Sequence, residues 1–183
     1  MHYTMQIAGL TRDLPICPVS DTLSIGAFIL FGDAPLTVAC AAALLERAPE
    51  YDYLLTAEAK SIPLIHEMAR QNGDETYFIA RKGMKVYLTD PISVTLRSIT
   101  TQREQTLYLG SADAEKIRGK RILIVDDVIS TGESLTAMET LVTEAGGIIV
   151  GKMAVLAEGD AANRTDITYL EPLPLFHADG TVL

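Results

Sequence analysis

Short apolar runs alternate along this chain with stretches whose apolar residues recur at helical spacing. A run of aliphatic and β-branched residues predicts a buried strand, and an apolar stripe at every third or fourth position predicts a helix. By these criteria we expect strands at residues 53–56, 77–80, 122–125 and 148–156, and helices at residues 36–47, 62–71, 112–117 and 134–144. Strands that alternate with helices build a parallel sheet, so the expected fold class is α/β, with a Rossmann-like parallel sheet flanked by helices.

Three segments do not follow this alternation. Residues 1–35 and 157–183 are richer in proline and less periodic, and we expect them to form a small hood on the sheet. Residues 93–110 contain two β-rich pieces around a polar segment, which predicts an exposed hairpin or flexible β arm. The sequence therefore predicts a single domain over residues 1–183, with its core at about 36–156.

The composition is typical of a globular protein: 183 residues, 48% hydrophobic and 21% charged, with a net charge of −9. An acidic total argues against nucleic-acid and membrane-surface partners, because both require a basic excess. The sequence shows neither a basic leader before an apolar run nor an apolar run long enough for a membrane span, so we expect a cytoplasmic protein. Cys17 and Cys40 have no metal or disulfide spacing and are expected to be ordinary buried thiols.

The charge is unevenly distributed along the chain. Residues 60–121 hold 11 Lys and Arg against 7 acidic residues, a local excess of +4 in a chain of −9. We therefore expect an anionic ligand, if there is one, to meet the middle of the chain.

The most informative stretch is residues 121–134, Arg-Ile-Leu-Ile-Val-Asp-Asp-Val-Ile-Ser-Thr-Gly-Glu-Ser. A buried strand here ends in two carboxylates, Asp126 and Asp127, and passes through a loop of small residues into a helix. Ligands of open α/β sheets bind beyond the carboxyl ends of the strands, and a helix N-terminus attracts phosphate. The loop supplies three hydroxyls and a glycine: Ser130, Thr131, Ser134 and Gly132. A phosphate there would lie beside carboxylates that can accept hydrogen bonds from sugar hydroxyls or hold a hydrated cation, so the stretch predicts a sugar-phosphate site.

Other sites with an acidic pair after an apolar strand fit less well. A Walker B strand needs GxxxxGK[ST] upstream, and the Gly119-Lys120 pair has Ala114 in place of the first glycine. A receiver domain carries its acidic pair on the first strand, whereas only 57 residues follow Asp126. A purely structural role, in which the acids cap the helix or keep the end of the strand hydrated, would explain each residue alone. It would not explain why acids, hydroxyls and a glycine occur together.

Residues 121–134 closely resemble the phosphoribosyl pyrophosphate (PRPP) signature of the type I phosphoribosyltransferases. The resemblance implies that Asp126 and Asp127 act in catalysis by holding the ribose 2′- and 3′-hydroxyls, and that Asp127 contacts a metal ion through water. It also implies a loop that binds the 5′-phosphate, formed by Ser130, Thr131, Gly132, Glu133 and Ser134. Glu133 stands where adenine-specific members usually have glycine. Because a phosphate would repel a carboxylate, the side chain of Glu133 is expected to point outward and only its N–H to contribute.

Two further segments resemble the parts of the family that bind pyrophosphate. Residues 56–62, Thr-Ala-Glu-Ala-Lys-Ser-Ile, resemble its short pyrophosphate loop, which often has a strained or cis peptide; Ala59 and Lys60 would be the contacts, with Lys60 acting in catalysis. Residues 81–85, Arg-Lys-Gly-Met-Lys, resemble the Arg-Lys segment of the adenine enzymes, which sometimes reaches pyrophosphate from the neighbouring subunit. The cations that this segment would contribute are Arg81, Lys82 and Lys85.

The arm and the hood would complete the site. The arm is closer in character to that of xanthine phosphoribosyltransferases, and alignment on the following strand puts Thr101 where the adenine enzymes have a catalytic glutamate. Glu104, three residues later, is therefore the acid/base candidate. In the hood, Phe176 is a candidate to stack on the base or, alternatively, to close the hydrophobic core.

We therefore interpret the sequence as that of a purine phosphoribosyltransferase that uses Mg²⁺ with PRPP and a purine base, and that forms a homodimer as the resemblance implies. Adenine is the preferred base because of the Arg-Lys segment and the layout, with xanthine or hypoxanthine as alternatives. A regulatory protein that binds PRPP without turnover is a different class of answer. Such regulators carry an added DNA-binding winged helix, for which 35 residues ahead of the core and a charge of −9 leave no room.

Overall fold

The structure is a computed structural model that describes residues 1–97 and 104–183; of residues 96, 97, 104 and 105 it describes the backbone alone. The strands are β1 (His2–Ile7), β2 (Leu10–Pro18), β3 (Leu23–Gly26), β4 (Tyr53–Ala57), β5 (Phe78–Ala80), β6 (Ile92–Arg97), β7 (Glu104–Leu109), β8 (Arg121–Ile129), β9 (Ile148–Glu158), β10 (Thr168–Leu173) and β11 (Leu175–His177). The helices are α1 (Ala34–Leu45), α2 (Ile62–Asn72), α3 (Ser111–Ile117) and α4 (Glu133–Glu144), with a 3₁₀ turn at Gly159–Asn163.

A parallel sheet in the order β10-β9-β8-β4-β5 forms the centre of the molecule. Its strand β8 is apolar at residues 122–125 because both of its faces are covered, and these residues are fully buried. On one face Ile124 packs with Leu135 and Met138 of α4. On the other face, Leu123 belongs to a second core that includes α1 and α2. The expected α/β fold with a flanked parallel sheet is confirmed.

Both ends of the chain contribute to the hood, an antiparallel sheet in the order β1-β2-β3-β11. The boundary expected at residue 157 differs from the observed one, because β9 continues to Glu158 and β10 pairs with it in the central sheet. Pro172 made β10 hard to recognise in the sequence. A proline is tolerated there because β10 is an edge strand, and the core sheet therefore extends to Leu173.

The predicted arm contains an antiparallel hairpin of β6 and β7, in which Ile92 faces Leu109 and Arg97 faces Glu104. The part of the arm at residues 98–103, including Thr101, lies outside the described residues. Strand β7 also bridges to the basic segment, since the N–H of each of Arg81 and Tyr108 donates to the carbonyl of the other, at 2.8 and 2.9 Å. The arm and the basic segment are thus joined by backbone hydrogen bonds.

Two smaller expectations concern the membrane and the thiols. Within the described ranges, no helix is both long and apolar enough to cross a bilayer. Cys40 is buried as expected, whereas Cys17 is only partly buried, and both are free thiols.

Candidate active site

Two adjacent carboxylates, Asp126 and Asp127, lie near the carboxyl end of β8, and the side chain of Ser61 lies between them. Ser61 Oγ is 2.6 Å from Asp126 Oδ1 and 3.1 Å from Asp127 Oδ1. It also accepts the N–H of Asp127 at 2.8 Å, and that N–H reaches Asp126 Oδ1 at 2.9 Å. Because β4 and β8 are neighbouring parallel strands, the loop after β4 that carries Ser61 meets the end of β8 at one edge of the sheet.

The acid pair lies in an environment that opposes full ionisation. Burial, together with the neighbouring charge of Asp127, raises the pKa of Asp126 to about 7. Asp127 is only 3% exposed. Lys60 Nζ lies 2.8 Å from Asp127 Oδ2, at ion-pair distance. That oxygen receives no well-directed hydrogen bond from the described residues, so it retains capacity for a donor such as a sugar hydroxyl.

The loop after β8 surrounds a small cavity of about 140 Å³. Gly132 ends this loop with φ of 81°, a left-handed conformation that residues with a Cβ rarely adopt, and it is the N-cap of α4. The first-turn N–H groups of a helix have no partner within the helix, so this end of α4 can bind an anion. The hydroxyl-bearing residues Ser130, Thr131 and Ser134 line the same cavity. Glu133 borders it and is exposed.

A second cavity, of about 180 Å³, is lined by both carboxylates of the acid pair. Its lining shares Asp126, Val128 and Ser134 with the first cavity, so the two cavities lie side by side, and together they are called the groove below. The loop after β4 forms one wall, and its Glu58–Ala59 peptide bond is cis. The sequence-predicted residues that line the groove are Ala59, Lys60, Lys82, Asp126, Asp127, Ser130, Thr131, Gly132, Glu133 and Ser134.

Not every predicted cation reaches the groove. Arg81 Nη2 lies 3.3 Å from Glu58 Oε1, and the N–H of Lys82 donates to Glu58 Oε2 at 3.0 Å. Glu58 therefore holds the basic segment against the loop after β4, with the Arg81 charge directed at a carboxylate. Lys85 is not part of the lining of either cavity.

The remaining candidates are Glu104 and Phe176. Glu104 begins β7, but its side chain lies outside what the structure describes, so its acid/base role stays a prediction. Phe176 is 0% exposed and packs edge to face on Tyr3 at 5.1 Å between ring centroids. The ring therefore has no accessible face on which a base could stack, and its packing favours the alternative role in the core. The base-binding role of Phe176 stays a prediction, which this placement does not support.

The sequence reasoning missed the contributions of Ser61 and Glu58. Both belong to the segment interpreted as a pyrophosphate loop, yet neither received a role. A serine just before a helix normally indicates a cap, and nothing local shows that Ser61 meets Asp126, 65 residues away. The contact could have been foreseen only from the pairing of β4 with β8.

Comparisons with known proteins point to one family. The family model described as phosphoribosyl transferase domain matches residues 35–173. An adenine phosphoribosyltransferase of Mycobacterium avium is 30% identical over 92% of this chain and 89% of its own length. A hypoxanthine/guanine phosphoribosyltransferase of Methanococcus voltae is 31% identical over 71% of this chain and 66% of its own length. A similar enzyme of Methanococcus maripaludis matches over 57% of its own length, so the chain spans less than two thirds of these archaeal relatives.

Solved structures show the same fold. Adenine phosphoribosyltransferase from Rhodothermus marinus superposes with a TM-score of 0.65 at 20% identity, covering 94% of each chain. The enzyme from Giardia lamblia, in complex with 9-deazaadenine, superposes with a TM-score of 0.63 at 16% identity over 94% of this chain and 93% of its own. At such identities the likeness establishes the fold.

Proposed function

Because this chain belongs to the phosphoribosyltransferase family, we propose that it transfers the 5-phosphoribosyl group of PRPP to a purine base and releases pyrophosphate. The observation that carries the proposal is the groove, the two adjoining cavities at the carboxyl edge of the sheet. Hydroxyls and a helix N-terminus lie at one end of it, two carboxylates in the middle, and Lys60 and Lys82 at the other end. This order matches the phosphate, ribose and pyrophosphate of PRPP.

The groove would act mainly by orienting the sugar and stabilising the leaving group. During the transfer, positive charge develops at the sugar C1 and negative charge grows on pyrophosphate. Asp126 and Asp127 would accept the ribose hydroxyls and fix the ring, and the ammonium groups of Lys60 and Lys82 would stabilise the departing pyrophosphate. Closure of the arm at residues 93–110 would exclude water, which otherwise hydrolyses PRPP.

The residues of the groove fit a magnesium ion carried mainly by the substrate. Among the described residues, no cluster of three or more His, Cys, Asp or Glu is placed to hold a metal. Asp127 offers a buried carboxylate oxygen that lacks a hydrogen bond from the described residues, and it would hold Mg²⁺ through water. Mg²⁺ commonly keeps several waters and takes other ligands from substrate phosphates. When bound with PRPP, it would supply charge neutralisation on the pyrophosphate.

Adenine is the preferred base in this proposal. The adenine phosphoribosyltransferase of Mycobacterium avium aligns with nearly the whole chain, whereas the hypoxanthine/guanine enzyme of Methanococcus voltae aligns with a smaller part. Hypoxanthine and xanthine remain the alternatives. A homodimer and a cytoplasmic setting in purine salvage belong to the proposal as well, and they rest on the resemblance to the family.

The test is a base panel. The purified protein is incubated with PRPP and MgCl₂ and with adenine, hypoxanthine, guanine or xanthine, and pyrophosphate release is followed against a reaction without base. We expect release with one of these bases and none from the double variant Asp126→Asn/Asp127→Asn, checked for folding by circular dichroism. Tight PRPP binding without turnover on any base would favour a regulatory protein, and a chain that does not bind PRPP would refute the proposal.

A further inference from the structure

Ser61 occupies the N-cap position of α2 but does not cap the helix. Serine is among the preferred N-cap residues because its oxygen can accept an N–H of the first helical turn. Here the side chain makes no such hydrogen bond. It points instead to the end of β8, and the residue is 1% exposed. The hydroxyl is thus committed to the acid pair rather than to its own helix.

The contacts of this hydroxyl involve both carboxylates of the groove. Its proton can be donated to Asp126 Oδ1 at 2.6 Å or to Asp127 Oδ1 at 3.1 Å, and its oxygen accepts the N–H of Asp127 at 2.8 Å. A hydroxyl has one donor hydrogen and two acceptor sites, so this arrangement uses the donor and one acceptor. One uncharged group therefore fixes the relative orientation of two carboxylates that would otherwise repel each other.

The place of Ser61 in the chain adds a second connection. It directly follows Lys60, whose ammonium group lies 2.8 Å from the other oxygen of Asp127. The loop after β4 therefore contacts Asp127 on both oxygens, with a cation on Oδ2 and a hydroxyl on Oδ1. Of these two contacts, the hydroxyl is the one that also reaches Asp126.

We propose that Ser61 is a positioning residue for ribose recognition, whose hydroxyl holds Asp126 and Asp127 in the orientation that receives the two ribose hydroxyls. This inference rests on the proposed function. Ser61 does not touch the sugar in this scheme, since it acts through the carboxylates. A hydrogen bond to a charged group is stronger than one between neutral groups, so its loss is expected to weaken ribose binding about tenfold.

Loss of the Ser61 hydroxyl is expected to affect the binding of the two halves of the substrate differently. Ribose 5-phosphate engages the phosphate loop and the acid pair, whereas inorganic pyrophosphate engages the lysines. Removal of the hydroxyl should therefore weaken ribose 5-phosphate and leave pyrophosphate nearly unchanged. A serine that merely stabilised the loop after β4 would affect both ligands, because that loop also carries Lys60.

The experiment compares three variants with the wild type by isothermal titration calorimetry in MgCl₂. Ser61→Ala removes the hydroxyl, and Ser61→Cys keeps a side chain of similar shape with only a weak donor. Ser24→Ala is the matched control, because Ser24 is also buried, 2% exposed, but lies in β3 of the hood. We expect about tenfold weaker binding of ribose 5-phosphate in both Ser61 variants, pyrophosphate binding within about twofold of wild type, and no change in Ser24→Ala. In turnover, the KM for PRPP should rise while the KM for the base stays constant.

Three outcomes would overturn the inference. Ser61→Ala could bind ribose 5-phosphate as the wild type does, or both ligands could weaken together with a fall in the thermal midpoint, which would indicate a structural role. Alternatively, Ser61→Cys could behave as the wild type, which would show that side-chain volume matters and the hydrogen bond does not. If the wild-type protein itself binds neither PRPP nor ribose 5-phosphate, the proposed function fails first, and this result is distinct from the other three.

Discussion

Replacing Gly132 by alanine is expected to damage the phosphate loop through two effects that can be separated. Gly132 has φ of 81°, and a Cβ added there would lie 2.7 Å from Nη1 of Arg164. The new methyl group therefore meets an unfavourable backbone conformation and a guanidinium group at once. Arg164 is held in place by Asp166, to which its Nε and Nη2 donate at 3.0 and 2.8 Å.

Each effect has its own magnitude. The left-handed conformation costs an alanine about 1–2 kcal/mol. The clash is with the end of a flexible side chain, so Arg164 can move, but it then loses its paired hydrogen bonds to Asp166. Both partners are partly exposed, and such a surface pair is worth about 0–1 kcal/mol. We therefore expect Gly132→Ala to lower the free energy of unfolding by about 1–3 kcal/mol.

The assay is urea unfolding followed by circular dichroism, combined with calorimetric titration of ribose 5-phosphate. Gly73→Ala is the matched control, because Gly73 has φ of 78° and no atom within 4 Å of its added Cβ, and it lies at the end of α2, away from the groove. Gly73→Ala should show the conformational cost with unchanged ligand affinity. Gly132→Ala should lose in addition about tenfold in affinity, since a displaced loop forfeits at least one hydrogen bond to a charged phosphate.

A double variant, Gly132→Ala/Arg164→Ala, tests the assignment of the clash. Removing the guanidinium should bring the stability cost of the glycine substitution close to that measured at Gly73. If Gly132→Ala binds ribose 5-phosphate as well as the wild type does, the loop does not cradle the phosphate in the way described, and the reasoning about this end of the groove is wrong.

Three other substitutions probe the rest of the molecule. Lys60→Met should lower the free energy of unfolding by about 1–3 kcal/mol in urea titrations, because buried Asp127 loses its cation; an unchanged midpoint would contradict the ion pair. Burial raises the pKa of Asp126 to about 7, above its ordinary value of 3.8, so the native state binds more protons than the unfolded chain between about pH 4 and pH 7. Thermal midpoints of the ligand-free protein should therefore fall as the pH rises through this window, and Asp126→Asn should remove that component of the slope. Phe176→Leu should cost about 1–3 kcal/mol of stability and leave the KM for the base unaltered, because the ring lies in the core.

The pattern of apolar and polar residues was sufficient to predict elements whose signals lie close together in the sequence. The apolar run of β8, the small-residue loop and the amphipathic stretch of α4 follow one another in sequence, so the expected strand, loop and helix could be placed to within a few residues. The ends of α2 were equally clear, since Gly73 stops it in a left-handed conformation. The hood and β10 were harder, because their pairing partners are distant in the chain and an edge strand tolerates residues such as Pro172.

The charge count along the chain gives a less accurate guide to the site than the contacts do. An excess of +4 over residues 60–121 predicted that an anion would meet the middle of the chain, but it treated each cation as available. In the folded protein Lys60 faces Asp127 and Arg81 faces Glu58, so two of the expected cations already lie against carboxylates. A bound pyrophosphate would have to compete with these carboxylates for the same charges. The attraction of this groove for an anion therefore depends on how far each pair can separate, a property of side-chain geometry that a linear sum of charges does not contain.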